Sequence, residues 1–107
     1  MAYPYAEITA AEVQRRLEAG EVLTLVDIRE PFEWQMTGVI PGAHLAPMRP
    51  FLLQQLEGLD REQEVILVCA SGIRTADAAI YMGMKGFTRA KSLAGGMHAW
   101  KGPRVQP

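Results

Sequence analysis

The chain is poor in the residues on which several kinds of chemistry depend. It has one cysteine, Cys69, and two histidines, His44 and His98. One thiol cannot form an internal disulfide. That excludes a stapled scaffold and also a thiol–disulfide oxidoreductase, which needs a second cysteine to resolve its mixed disulfide. Neither histidine stands at a spacing that would share a metal with Cys69, so no metal is expected. The net charge of −1 gives no electrostatic case for nucleic acid or an anionic membrane. No apolar run approaches the ~20 residues of a membrane span. Gly95-Gly96 is not part of a Gly-x-Gly-x-x-Gly pattern, which argues against a dinucleotide site. Met1 to Ile8 lacks the basic and apolar regions of a secretory leader, and a lone thiol suits a reducing compartment. The expectation is a soluble cytoplasmic protein.

What is present is an ordinary globular composition. Of 107 residues, 49% are hydrophobic and 21% charged, which fits one domain over residues 1–107. Its core is expected over about 7–101, with residues 1–5 and 102–107 loose. Thr9 opens a helix, and Glu12 three residues on makes a capping box of the Thr-x-x-Glu type. Val13 and Leu17 form its apolar face and Gly20 ends it. Val22 to Val26 reads as a buried strand, and Pro31 suits the first position of a short helix through Trp34. Gly38 to Ala43 is a turn-rich link, His44 to Pro47 a short strand, and Phe51, Leu52, Leu53 and Leu56 a helical patch. Val65 to Val68 is the strongest strand signal. A helix follows from Ile73, with Ile73, Ala76, Ala79, Ile80 and Met84 as its sheet-facing positions and Gly86 beyond its end. Arg89 to Leu93 reads as a last strand, and Met97 to Trp100 as a closing helix. Trp34 and Trp100 read as packing residues, and Met82, Met84 and Met97 as filler. This alternation predicts an α/β fold around a mainly parallel sheet, with ligands gathering beyond the carboxyl ends of its strands. Asp27 and Cys69 both stand at such ends.

The chemically informative stretch is Cys69-Ala70-Ser71-Gly72-Ile73-Arg74. A thiol is a strong nucleophile only as thiolate, and its free pKa is about 8.5. A loop entering a helix N-terminus presents unpaired amides that favour an anion. Gly72 lets the backbone curl so that several amides point at one centre. Arg74 adds a permanent positive charge with fork geometry. In such a cradle Cys69 is partly ionised at neutral pH, and a persulfide is held by the same donors. Left to itself, a lone cysteine is most often a small buried hydrophobe. The glycine turn and arginine that follow Cys69 weigh against that reading.

Cys69-x-x-Gly72-x-Arg74 after an apolar strand resembles the active-site loop of rhodanese-homology domains. Val26-Asp27-Ile28-Arg29-Glu30 with Phe32-Glu33-Trp34 is similar to the first signature of that family. Gly38-Val39-Ile40-Pro41-Gly42-Ala43 is similar to its Gly-His-Ile-Pro-Gly-Ala segment, and Leu93-Ala94-Gly95-Gly96-Met97-His98-Ala99-Trp100 to its closing segment. The resemblance runs from about Ile8 to Lys101 with the four motifs in order. It implies a rhodanese-like three-layer fold, a five-stranded sheet with helices on both faces. It also implies sulfur transfer without any cofactor. A small donor, thiosulfate or a persulfide, gives its outer sulfur to Cys69, which passes it to cyanide, a thiol or a protein acceptor. In this reading Cys69 is the nucleophile, and Ala70, Ser71, Gly72, Ile73 and Arg74 form the anion cradle. The Arg74 side chain either binds the donor or braces the loop. Asp27, Arg29 and Glu33 are supporting residues, chiefly structural, with Glu33 a partner for an arginine. Val39 replaces the family's histidine and implies a lost hydrogen bond. The loop interior carries no lysine or second arginine, which implies modest donor affinity. Arg49 and His98 read as surface residues.

Two other functions compete. A cysteine phosphatase or arsenate reductase also places a thiolate and an arginine around an anion. Its loop has five residues between them, whereas four separate Cys69 from Arg74, a tighter cradle. A sulfur-carrier or docking module without turnover is the other. Comparing turnover with thiosulfate and with protein persulfides separates it from an enzyme.

Overall fold

The computed structural model describes residues 5–48 and 58–107. The expected helical patch at Phe51 to Leu56, and Arg49, lie outside the described residues. The elements run β1 (Ala6–Thr9), α1 (Ala10–Glu18), β2 (Leu25–Asp27), α2 (Pro31–Thr37), β3 (His44–Leu45), β4 (Val65–Val68), α3 (Ile73–Met84), β5 (Ala90–Ala94) and α4 (Gly96–Ala99). The five strands form one sheet in the order β1-β5-β4-β2-β3, parallel at every pairing.

Strand alternation divides the core into two faces. Val65, Leu67 and Cys69 point towards Ala78, Ala79 and Met82 of α3. Ile66 and Val68 point the other way, towards Val13 of α1 and Met97 and Trp100 around α4. β4 is buried at all four positions, which is why its sequence is an unbroken apolar run.

Several local expectations are corrected. The first is β1, an edge strand with only Ile8 buried, too weakly patterned to stand out. Val22 is fully exposed. The expected strand starts only at Leu25, where pairing with Ile66 of β4 begins. At the start of α1 the Thr9 hydroxyl accepts the Glu12 amide at 3.1 Å, but the Glu12 carboxylate goes to Arg15 at 2.6 Å, so only half of the capping box forms. The sheet-facing positions of α3 are Thr75, Ala78, Ala79 and Met82, while Ile73 and Met84 are 74% and 70% exposed. The helix is thus turned from the expected face.

The C-terminal segment is held rather than loose. Val105 and Val39 exchange both backbone hydrogen bonds at 2.9 Å. Trp100 Nε1 donates to the Pro103 carbonyl, and the Arg104 guanidinium donates to the carbonyls of Thr37, Met97 and Trp100. Val39 is itself buried, so the position where the family carries a histidine is a packed backbone bridge here. Among the described residues no helix is long and apolar enough to cross a membrane.

Candidate active site

β4 ends at Val68, the partner of Asp27 at the end of β2, and delivers Cys69 one residue further, to the carboxyl edge of the sheet. Gly72 then takes the left-handed conformation, φ 96°, and starts α3. A Cβ there would press on the Leu93 carbonyl and the Gly95 amide, at 3.4 and 3.3 Å. The curl requires glycine, and the tight space adds to that preference.

The resulting loop wraps the sulfur. The Gly72 amide donates to Cys69 Sγ at 3.1 Å. The Thr75 hydroxyl lies 3.4 Å from the same sulfur and 2.7 Å from Ser92 Oγ on β5. Burial pushes the Cys69 thiol up, but hydrogen bonds from the Thr75 hydroxyl and from the amides of Thr75, Gly72 and Ser71 outweigh it and leave the pKa lowered. Of the cradle expected from Ala70 to Arg74, the amides of Ser71 and Gly72 act on the sulfur, and Thr75, one residue beyond it, joins them. Neither Thr75 nor Ser92 stood out in the sequence. The usable signal was a polar residue at the head of an i, i+3, i+4, i+7 buried stripe, Thr75, Ala78, Ala79 and Met82.

The loop is braced from outside by α4. The Met97 amide donates to the Cys69 carbonyl at 2.8 Å and the His98 amide to the Ala70 carbonyl at 3.0 Å. Gly96 makes this approach possible, since a Cβ at that position would collide with the carbonyl groups of Cys69 and Ala70.

Arg74 does not reach into the cradle. Its guanidinium forms a two-pronged pair with the Glu33 carboxylate, 2.7 Å on each arm, tying α3 to α2. Glu33 also accepts the Glu30 amide at 3.1 Å, capping α2. The Arg74 guanidinium holds the Glu33 carboxyl below its usual range against the opposing effect of burial. Glu33 in turn raises Arg74, with a smaller contribution from Cys69. Asp27 and Arg29 form a second, fully buried pair. Arg29 Nη2 lies 2.7 Å from Asp27 Oδ2, Trp34 Nε1 donates to Asp27 Oδ1, and Arg29 continues to Thr37 Oγ1 and the Gly38 carbonyl. These bonds fix α2 against the end of the sheet and make no hydrogen bond to Cys69.

Beside the loop, between α2 and α4, an open pocket of about 310 Å³ is lined by Phe32, Met36, Ala70, Met97, His98 and Arg104, among others. Phe32 and Met36 are 63% and 76% exposed. His98 lies on the pocket wall and His44 on the edge strand β3, and neither hydrogen-bonds Cys69. Among the described residues no cluster of three or more His, Cys, Asp or Glu side chains could hold a metal.

Comparison with known proteins agrees with this architecture. The chain is 35% identical over 96 residues to the putative sulfurtransferase YtwF of Bacillus subtilis, covering 90% of each protein. It is 36% identical over 103 residues to the probable adenylyltransferase/sulfurtransferase MoeZ of Mycobacterium tuberculosis, covering 94% of this chain but only 25% of that protein. The crystal structure of a rhodanese-like domain protein from Staphylococcus aureus superposes with a TM-score of 0.83 at 31% identity, covering 95% of this chain and 99% of that one. The family model of the rhodanese-like domain matches residues 9–103, and with the Cys69 loop set at the carboxyl edge of a five-stranded parallel sheet, the chain belongs to the rhodanese-like domain family.

Proposed function

We propose that this protein is a sulfurtransferase that carries sulfane sulfur on Cys69. The observation that carries the reading is the Cys69 sulfur itself, bonded by the Gly72 amide and facing the Thr75 hydroxyl, with its pKa lowered despite burial. In the first step the Cys69 thiolate attacks the outer sulfur of thiosulfate. The new S–S bond forms as the old one breaks, and sulfite leaves with the electron pair. In the second step an acceptor attacks the terminal sulfur of the persulfide and the thiolate of Cys69 departs. With cyanide the product is thiocyanate, and with a thiol it is a new persulfide. Every intermediate on the protein is an anion, so one set of donors serves both steps. Arg74, held by Glu33, adds positive potential near the loop and keeps α2 and α3 together, and Asp27 and Arg29 anchor the region.

Cys69 has no exposed surface, so attack requires the loop to yield slightly to the incoming sulfur. The exposed side chains of Phe32 and Met36 beside the loop suit a protein thiol or persulfide as the partner, since exposed apolar side chains around a site favour macromolecular contact. YtwF is a putative sulfurtransferase and MoeZ carries a sulfurtransferase function in its name, which supports the same class. The pairing of Arg74 with Glu33 weighs against a phosphatase, whose arginine must be free to grip the phosphate. Steady-state thiocyanate formation at varied thiosulfate and cyanide tests the proposal. Parallel lines in the double-reciprocal plot are expected. Release of inorganic phosphate from an aryl phosphate, with no thiocyanate formed, would overturn it.

A further inference from the structure

Thr75 and Ser92 are both fully buried polar residues, and a buried hydroxyl costs stability unless its hydrogen bonds are met. Their oxygens form a chain from the active sulfur: Cys69 Sγ to Thr75 Oγ1 at 3.4 Å, Thr75 Oγ1 to Ser92 Oγ at 2.7 Å, and Ser92 Oγ to the Gly72 carbonyl at 3.4 Å. Each hydroxyl has one proton to donate and can accept. With a neutral thiol the chain runs outward. Sγ–H donates to Thr75, Thr75 to Ser92, and Ser92 to the Gly72 carbonyl. With an anion on sulfur the direction must invert. Ser92 donates to Thr75, and Thr75 donates to sulfur. The Gly72 carbonyl then keeps its other donor, the Ala76 amide at 3.1 Å. No donor is stranded in either state, and each hydroxyl keeps its own proton, turning only about its C–O bond.

We propose that Ser92 is a positioning residue for sulfur chemistry at Cys69, acting through Thr75 as a two-hydroxyl relay that reverses when the sulfur becomes an anion. The proposal rests on Cys69 as the reacting group but not on the identity of the donor or acceptor. The charged groups around the sulfur are Arg74 on α3, held by Glu33 on α2, and the Asp27–Arg29 pair at the end of β2. On α4, His98 lines the pocket beside Ala70, and on β5 the Lys91 ammonium is taken by Glu64. None of these is hydrogen-bonded to the Thr75 or Ser92 hydroxyl.

The test is the pH dependence of Cys69 alkylation by iodoacetamide in the full chain, with circular dichroism as a folding control. Thr75→Val should lower the thiolate fraction near neutral pH by about tenfold, the loss of one hydrogen bond to a charged group. Ser92→Ala should lower it by about twofold, the loss of cooperative support. Thr75→Ser should titrate like wild type. The double variant Thr75→Val/Ser92→Ala should match Thr75→Val alone, because with an anion on sulfur Ser92 donates to Thr75 and acts through it. A Ser92→Ala profile identical to wild type, or additive effects in the double variant, would overturn the relay. If a Thr75 variant fails to fold, the Ser92→Ala profile alone decides. Alkylation needs no sulfur donor, so failure here is distinct from failure of the sulfurtransferase reading.

Discussion

At the scale of single residues, the site is a balance between burial and donation. Cys69 sits where burial favours the neutral thiol, yet the donors around it favour the anion and prevail. Its alkylation should therefore reach half-maximal rate at a lower pH than that of an ordinary free thiol. Because the residue has no exposed surface, iodoacetamide should react much faster than a bulky maleimide of equal intrinsic reactivity. Equal rates for the two reagents would mean an open site. Cys69, Gly72 and Arg74 were legible because they are close in sequence and their chemistry is local. The Glu33 partner of Arg74 was legible only as an unassigned arginine contact, since 41 positions separate the two. Thr75 and Ser92 escaped notice because a polar residue on a buried helix face runs against the apolar rule used to orient α3, and the wrong register pointed Ile73 at the sheet.

At the scale of elements, short connections do the positioning. The amides of Met97 and His98 hold the Cys69 and Ala70 carbonyls, and Gly96 allows that approach at a positive φ of 55°. Gly96→Ala combines a collision with backbone strain and should destabilise by roughly 2 kcal/mol or more, read as a fall in the urea midpoint, with Cys69 reactivity disturbed as well. Thr9 holds α1 through a single cap bond to the Glu12 amide. Thr9→Ala should cost about 1 kcal/mol in the same assay while leaving Cys69 alkylation unchanged. The order of helices and of the longer strands was readable from periodicity and caps. The edge strand β1 and the tail bridge at Val39 and Val105 were not. Their stability comes from partners distant in sequence and not from their own pattern.

At the scale of the molecule, one carboxylate links a helix to the sheet. Glu64, just before β4, accepts from Arg16 of α1 at 2.7 Å and from Lys91 of β5 at 2.6 Å. The Arg16 guanidinium, helped by Lys91 and opposed by burial, holds its pKa down to about 2. A carboxyl whose folded pKa is depressed stabilises the fold above its unfolded value and loses that contribution as pH falls towards the folded one. Stability should thus fall between about pH 5 and pH 2 by an amount on the order of 2 kcal/mol from this group. Glu64→Gln should lower stability at pH 7 and flatten the acid limb of a denaturation series, and an unchanged acid limb would show that the cluster contributes nothing. The parallel α/β architecture was legible in the strand–helix alternation, because buried parallel strands leave unbroken apolar runs. The sheet order was not, because crossover connections leave no local signature.

The central claim, that Cys69 carries sulfur, is tested most directly by intact mass spectrometry of the reduced protein after incubation with thiosulfate, beside Cys69→Ser. The account predicts that the wild-type chain gains one sulfur atom, that cyanide removes it as thiocyanate, and that Cys69→Ser gains nothing. A wild-type chain that stays unmodified with both thiosulfate and a persulfide donor, while its thiol still alkylates, would contradict the account.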